Sequence, residues 1–142
     1  MKKDDEGEGL FGLSGRRLLL VEDNDDCATA VRYWLEICGA RVTTAHTVGT
    51  AVARSRGEVP DLLLVDVFLP DGTGWDVVDR VRASDPAAER LPVVAITGMA
   101  TPAVVSSARA HGVRHVITKP IAPEALAAAL SDCLEAPAAE RV

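Results

Sequence analysis

The chain has 142 residues, a length that suits one domain and leaves little room for a second. Hydrophobic residues make up 48% of it, charged residues 25% and aromatics 4%, which excludes global disorder and points to a core packed from aliphatic side chains. Fifteen Lys and Arg against 21 Asp and Glu leave a net charge of −6, which excludes a nucleic-acid or anionic-membrane surface built on overall charge, and no apolar run approaches the ~18 residues of a membrane span.

Residues 1–15 carry Asp4, Asp5, Glu6 and Glu8 among Gly7, Gly9, Gly12 and Gly15, and read as a flexible leader. The stretch lacks the apolar centre of a secretory signal, so the expected location is the cytoplasm. Five short aliphatic runs follow: Arg17 to Val21, Arg41 to Ala45, Asp61 to Val65, Pro92 to Ile96 and His115 to Thr118. Four are apolar on successive positions, as strands covered on both faces should be, whereas the more polar second run suits a sheet edge. Helical patterns separate them. In the first, Cys27, Ala30, Val31, Trp34, Leu35 and Cys38 recur at a 3.6-residue spacing, with Asn24 placed to cap and Gly39 to end it. Trp75 opens the third helix and Thr101-Pro102 the fourth; the fifth has Pro123 early and Leu126, Leu130, Cys133 and Leu134 on one stripe. Strand and helix in alternation predict right-handed crossovers around a parallel sheet, an α/β fold over residues 16–135, followed by a flexible tail over 136–142. Cys27, Cys38 and Cys133 fall on apolar stripes and read as buried thiols in a reducing compartment, while Trp34 and Trp75 read as packing residues.

Ligands of open α/β sheets lie beyond the carboxyl ends of the strands. There the first strand ends in Glu22 and Asp23, the third in Asp66, the fourth in Thr97 and the fifth in Lys119. Three converging carboxylates repel one another unless a proton or a cation neutralises them, and an all-oxygen set without His or Cys suits a hard ion such as Mg²⁺. A carboxylate beside Mg²⁺ and a lysine is prepared for a phosphoryl group, which makes the central Asp66 the natural nucleophile and an aspartyl phosphate its product. Thr97 is placed to hydrogen-bond a phosphoryl oxygen. Singly, each residue has a plainer reading: Glu22 and Asp23 as solvated acids, Asp66 and Thr97 as turn or cap residues, Lys119 as a surface charge.

Jointly they resemble the receiver domains of two-component response regulators, in particular the single-domain, CheY-like ones. Leu18-Leu-Leu-Val-Glu22-Asp23-Asn24 is similar to the acid-pair motif, and Asp61-Leu-Leu-Leu-Val-Asp66-Val-Phe-Leu-Pro70-Asp-Gly72-Thr-Gly74 to the phosphoacceptor motif. Ala95-Ile-Thr97-Gly98 is similar to the switch hydroxyl motif and Thr118-Lys119-Pro120 to the lysine motif. The resemblance implies a doubly wound, flavodoxin-like (βα)5 fold, a five-stranded parallel sheet of order 2-1-3-4-5. It implies that Asp66 accepts phosphoryl from a phosphohistidine. Mg²⁺ would be held by Asp23, Asp66 and the backbone carbonyl of Phe68, with Glu22 acting through a metal-bound water. Lys119 would pair with the phosphoryl group, and the bond before Pro120 would be cis.

Two positions depart from the family's commonest pattern. Val116 stands three residues before Lys119, where an aromatic switch residue is usual. Phe68 and Met99, two residues beyond Asp66 and Thr97, would flank the phosphoryl site with apolar bulk and slow its hydrolysis. His46, His111 and His115 show no ligand spacing and are assigned structural or solvent roles, so the phosphohistidine must come from a sensor histidine kinase or a histidine phosphotransfer protein. Asp66-Val67-Phe68 lacks the second aspartate of haloacid-dehalogenase-like phosphohydrolases, and no glycine-rich loop follows the first strand to cradle a nucleotide. The resulting expectation is a stand-alone phosphoacceptor that catalyses only its own phosphorylation and slow dephosphorylation and is not an enzyme in the turnover sense. Its output would be contact with a target protein, or with a second copy in a homodimer, through the fourth helix, fifth strand and fifth helix, a face including Val104, Val105, Arg109 and Arg114. It would neither bind nucleic acid directly nor insert into a membrane. The competing expectation, favoured by Val116, is a receiver-like scaffold that binds partners without phosphorylation.

Overall fold

In the computed structural model the described residues are 10–135. Ten main elements alternate: β1 (Arg17–Val21), α1 (Asp25–Ile37), β2 (Arg41–Ala45), α2 (Val48–Gly57), β3 (Leu62–Asp66), α3 (Gly74–Ser84), β4 (Val93–Thr97), α4 (Pro102–Ala110), β5 (His115–Thr118) and α5 (Pro123–Glu135). All five strands are parallel, in the order β2-β1-β3-β4-β5. A small antiparallel hairpin, Phe68–Leu69 against Gly72–Thr73, links β3 to α3.

Because side chains alternate along a strand, the aliphatic strands feed two cores. Leu19, Val21, Leu63, Val65 and Ala95 face α2, α3 and α4 through Ala51, Val78 and Ala108; Leu18, Leu20, Leu62, Leu64 and Ile96 face α1 and α5 through Leu35, Leu126 and Leu130. The central strands β3 and β4 are buried along their whole length, as continuous apolar runs require. The expected polar edge is β2; β5 is the second edge, and of its residues only Ile117 is buried.

The helix signals hold locally. Asn24 Oδ1 accepts the Cys27 N–H at 2.8 Å to cap α1, and Gly39 follows the helix at φ +100°, a left-handed turn in which a side chain would also crowd the Ser14 backbone. Ala30 departs from the expected stripe and is exposed, while Ala28 is buried; Cys27 is half-buried, unlike Cys38 and Cys133. Trp34 stacks on Phe11 at 5.8 Å and Trp75 on His111 at 5.4 Å.

Two boundaries and the leader need correction. β3 and β4 run one residue later than the sequence suggests. Pro92 has no N–H to enter the ladder, although its carbonyl accepts Leu63 N–H at 3.0 Å, and Asp61 instead accepts the Arg17 N–H on its carboxylate at 2.8 Å. At the other end Asp66 pairs in register with Ile96, and Thr97 with Thr118. Of the supposed leader, residues 10–15 are packed only in part: Leu10–Gly12 form a 3-10 turn, Leu13 is fully buried with α1 and α5, and Gly15 N–H bonds the Gly39 carbonyl at 2.9 Å, while Phe11 and Gly15 themselves are exposed. One leucine buried against α1 and α5 outweighs the flexibility of the glycines around it. The rest of the leader, 1–9, and the tail, 136–142, lie outside the described residues. Among the described residues no helix is long and apolar enough to cross a membrane.

Candidate functional site

The carboxyl ends of β1, β3 and β5 bring together four of the residues singled out from sequence. Glu22 follows β1 and is fully buried; its N–H bonds the Ala45 carbonyl at 3.0 Å and its Oε2 accepts the Asn24 N–H at 3.1 Å. Asp66, the last residue of β3, is 6% exposed, and its Oδ1 accepts the Phe68 N–H at 3.3 Å. Lys119 is delivered by β5, its own N–H bonded to the Thr97 carbonyl at 2.8 Å and its peptide to Pro120 cis. Its ammonium lies 2.7 Å from Glu22 Oε1 and donates a hydrogen bond to Asp66 Oδ2 at 2.9 Å. Asp23 is exposed at the rim, and Glu22, Asp23 and Asp66 each place a carboxylate oxygen within 4.8 Å of the others. Gly74 makes the close approach behind Asp66: a Cβ there would stand 2.6 Å from the Asp66 carbonyl oxygen.

Electrostatically the cluster is frustrated, with three carboxylates against one ammonium. Burial raises the Asp66 carboxyl above its ordinary value, and the neighbouring Glu22 charge adds to this against the pull of Lys119. Burial also acts upward on Glu22, but the Lys119 contact and the Asn24 N–H together hold it below its usual range. Lys119 loses solvation as well, yet its two carboxylate partners keep the ammonium firmly charged. Beside Glu22, burial and that carboxylate push the Cys27 thiol up to about 11. The donor set fits a small hard cation: all oxygen, net negative, with Asp23 open to solvent, where a strongly hydrated ion keeps its waters.

Thr97 reaches the site only in part. It is fully buried at the end of β4, and its hydroxyl donates to the Met99 carbonyl and accepts the Met99 N–H, both at 3.1 Å, rather than turning to Asp66. Phe68 and Met99 are exposed large apolar residues beyond β3 and β4. Of the output face, Val104 points from α4 into the core, whereas Val105, Arg109, Arg114 and half-buried Val116 line a hollow of about 340 Å³ between α4 and β5.

Two residues that the sequence does not place at the site support it. Asp71 accepts the Val48 and Gly49 N–H groups at 2.7 and 3.1 Å, tying the loop after β3 to the start of α2; His46 Nδ1 lies 2.9 Å from the Glu22 carbonyl oxygen. The first reads as turn chemistry and the second has no metal-ligand spacing, so only their tertiary neighbours reveal them.

Residues 18–131 match the response regulator receiver domain family. The chain belongs to that family. Among curated relatives, the receiver is 35% identical over 106 residues to an uncharacterized 14.6 kDa protein of Leptolyngbya boryana, covering 75% of this chain and 80% of that one. It is 36% identical over 80 residues to the probable transcriptional regulatory protein TcrX of Mycobacterium tuberculosis, covering 56% of this chain but only 33% of TcrX. Among solved structures it is similar to the receiver domain of a sensor histidine kinase of Pseudomonas aeruginosa, described with a magnesium ion coordinated in its active-site cleft. That similarity has a TM-score of 0.78 at 27% identity, over 87% of this chain and all of the other.

Proposed function

We propose that Asp66 is a phosphoacceptor that takes its phosphoryl group from a phosphohistidine on a sensor histidine kinase or a histidine phosphotransfer protein. The observation that carries this reading is a buried carboxylate at the end of the central strand, raised by burial, held by Lys119 at 2.9 Å and ringed by Glu22 and Asp23. An Asp66 oxygen forms the new O–P bond as the P–N bond of the phosphohistidine breaks, the imidazole leaving with the electron pair. Lys119 exchanges its hydrogen bond to Asp66 for one to a phosphoryl oxygen, and Thr97 exchanges the Met99 carbonyl for another. Asp23, Asp66 and the Phe68 carbonyl would hold Mg²⁺, with Glu22 reaching it through a water; when bound, the ion offsets the charge of the phosphoryl group. The same residues give the chain its own phosphorylation and slow hydrolysis without a turnover reaction.

Moving Thr97 inward biases the face built by α4, β5 and α5, through which the receiver meets a target protein or a second copy. A second reading has its own observations: Val116 replaces the usual aromatic residue and the Thr97 hydroxyl is already satisfied by Met99, which favours a scaffold whose contacts ignore phosphorylation. Phosphoramidate, which carries a P–N bond, tests both with Mg²⁺ and amide NMR. The phosphoacceptor reading expects phosphoryl uptake together with shifts at Val105, Arg109 and Val116. Uptake without shifts on that face supports the scaffold, and no uptake overturns the acceptor role.

A further inference from the structure

We propose that His46 is a positioning residue for the acid pair, fixing through the Glu22 carbonyl the peptide that carries Asp23 into the cluster. The inference rests on the reading of that cluster as a cation site. Asp23 is exposed, and among the described residues no hydrogen bond or ion pair holds its carboxylate, so its aim depends on its backbone. The plane preceding it contains the Glu22 carbonyl, which lies one residue past the end of β1. His46, the first residue after β2, fills the role a ladder N–H would have played, with Nδ1 at 2.9 Å. A carbonyl oxygen only accepts, so Nδ1 carries the proton, and the neutral ring suffices for the bond. The other ring nitrogen is 3.7 Å from Asp25 Oδ1, too far for a hydrogen bond, so Asp25 does not compete for the ring.

The turn that carries His46 is itself anchored. Ala45, the last residue of β2, accepts the Glu22 N–H, so both backbone groups of Glu22 are held by consecutive residues where β2 passes into the turn. Two and three residues on from His46, the Val48 and Gly49 N–H groups bond the Asp71 carboxylate from the loop after β3. The β2–α2 turn therefore braces the acid-bearing loop after β1 against the loop that follows Asp66. Groups that orient metal-binding carboxylates without touching the ion usually carry a measurable share of its affinity.

The test uses the full chain with His46→Ala and His46→Asn, since the Asn side-chain amide places an N–H donor where Nδ1 stands. Amide NMR follows the Asp23 signal without metal, Mg²⁺ titration gives the affinity, and thermal unfolding reports stability. His46→Ala is expected to displace the Asp23 amide signal and weaken Mg²⁺ binding on the order of tenfold, and His46→Asn to restore both. A His46→Ala protein with reduced stability but unchanged Asp23 signal and Mg²⁺ affinity would overturn the proposal, as would an Asn variant indistinguishable from Ala. If the native chain takes up no Mg²⁺ while the Asp23 signal still moves with Ala and returns with Asn, the cation reading fails and the positioning of Asp23 stands.

Discussion

Replacing Asp66 with Asn should stabilise the fold when no divalent cation is present. Carboxylate oxygens of Glu22 and Asp23 lie within 4.8 Å of one on Asp66, so at an effective dielectric constant of 20 each like-charge pair costs at least about 3.5 kcal/mol. Lys119, 2.9 Å away, returns about 5.7 kcal/mol on the same scale. Solvent screening at exposed Asp23 reduces its share, so attraction and repulsion nearly cancel; what remains is the cost of holding the Asp66 charge out of water, about 1–2 kcal/mol. Asn keeps the shape without the charge, which corresponds to a rise in Tm of about 3–7 °C for a domain of this size. The pH dependence has a definite sign. The Asp66 carboxyl is raised in the folded chain, so its contribution to stability is full below its unfolded value and is lost as pH rises through the higher folded one. The advantage of Asn is therefore small in acid and full at neutral pH. Mg²⁺ should then stabilise the native chain by about 1.4 kcal/mol at ten times its Kd and leave the Asn variant nearly unchanged, closing the gap. Urea and thermal unfolding between pH 4 and 7.5, with chelator and then with Mg²⁺, measure each step. An Asn variant less stable than the native chain at pH 7.5 in chelator would refute the claim of charge frustration.

Gly74→Ala should destabilise by about 2–3 kcal/mol, because the new Cβ meets the Asp66 carbonyl at 2.6 Å and the backbone must shift; the urea midpoint reads it, and an unchanged midpoint contradicts the close approach. Leu13→Ala should cost about 2–4 kcal/mol in the same assay if residues 10–15 pack as described, whereas a mobile leader would make it silent. Phe68→Ala should shorten the phosphoryl lifetime by opening the site to water, measured as phosphate release from the phosphorylated chain; an unchanged lifetime would remove Phe68 from the barrier.

Much of this was legible because the chemistry sits where the strand pattern stops. Continuous aliphatic runs announce buried parallel strands, and the acids and lysine that end them must face one crevice, so the strand pattern alone brings Glu22, Asp23, Asp66 and Lys119 together. What the pattern hides depends on partners distant in sequence. Leu13 stands in a glycine-rich stretch with Leu10 and Phe11, and only its packing against α1 and α5 makes it core. Asp71 looks like any turn aspartate until the start of α2 is placed above it, and His46 has no spacing signal because its target is a backbone carbonyl. The one-residue shift of β3 and β4 has the same origin: Asp66 and Thr97 are polar in sequence but are paired in register with Ile96 and Thr118. The orientation of the Thr97 hydroxyl, shared with Met99, is likewise a choice among rotamers that composition does not specify.

The central claim is that Asp66 forms an acyl phosphate, and intact mass after incubation with acetyl phosphate and Mg²⁺ tests it most directly. The account predicts one added phosphoryl group on the native chain, none on the Asp66→Asn variant, and none on either when the cation is chelated. A native chain that gains nothing from acetyl phosphate or from a phosphorylated histidine kinase, or an Asn variant that gains as much as the native one, would contradict it.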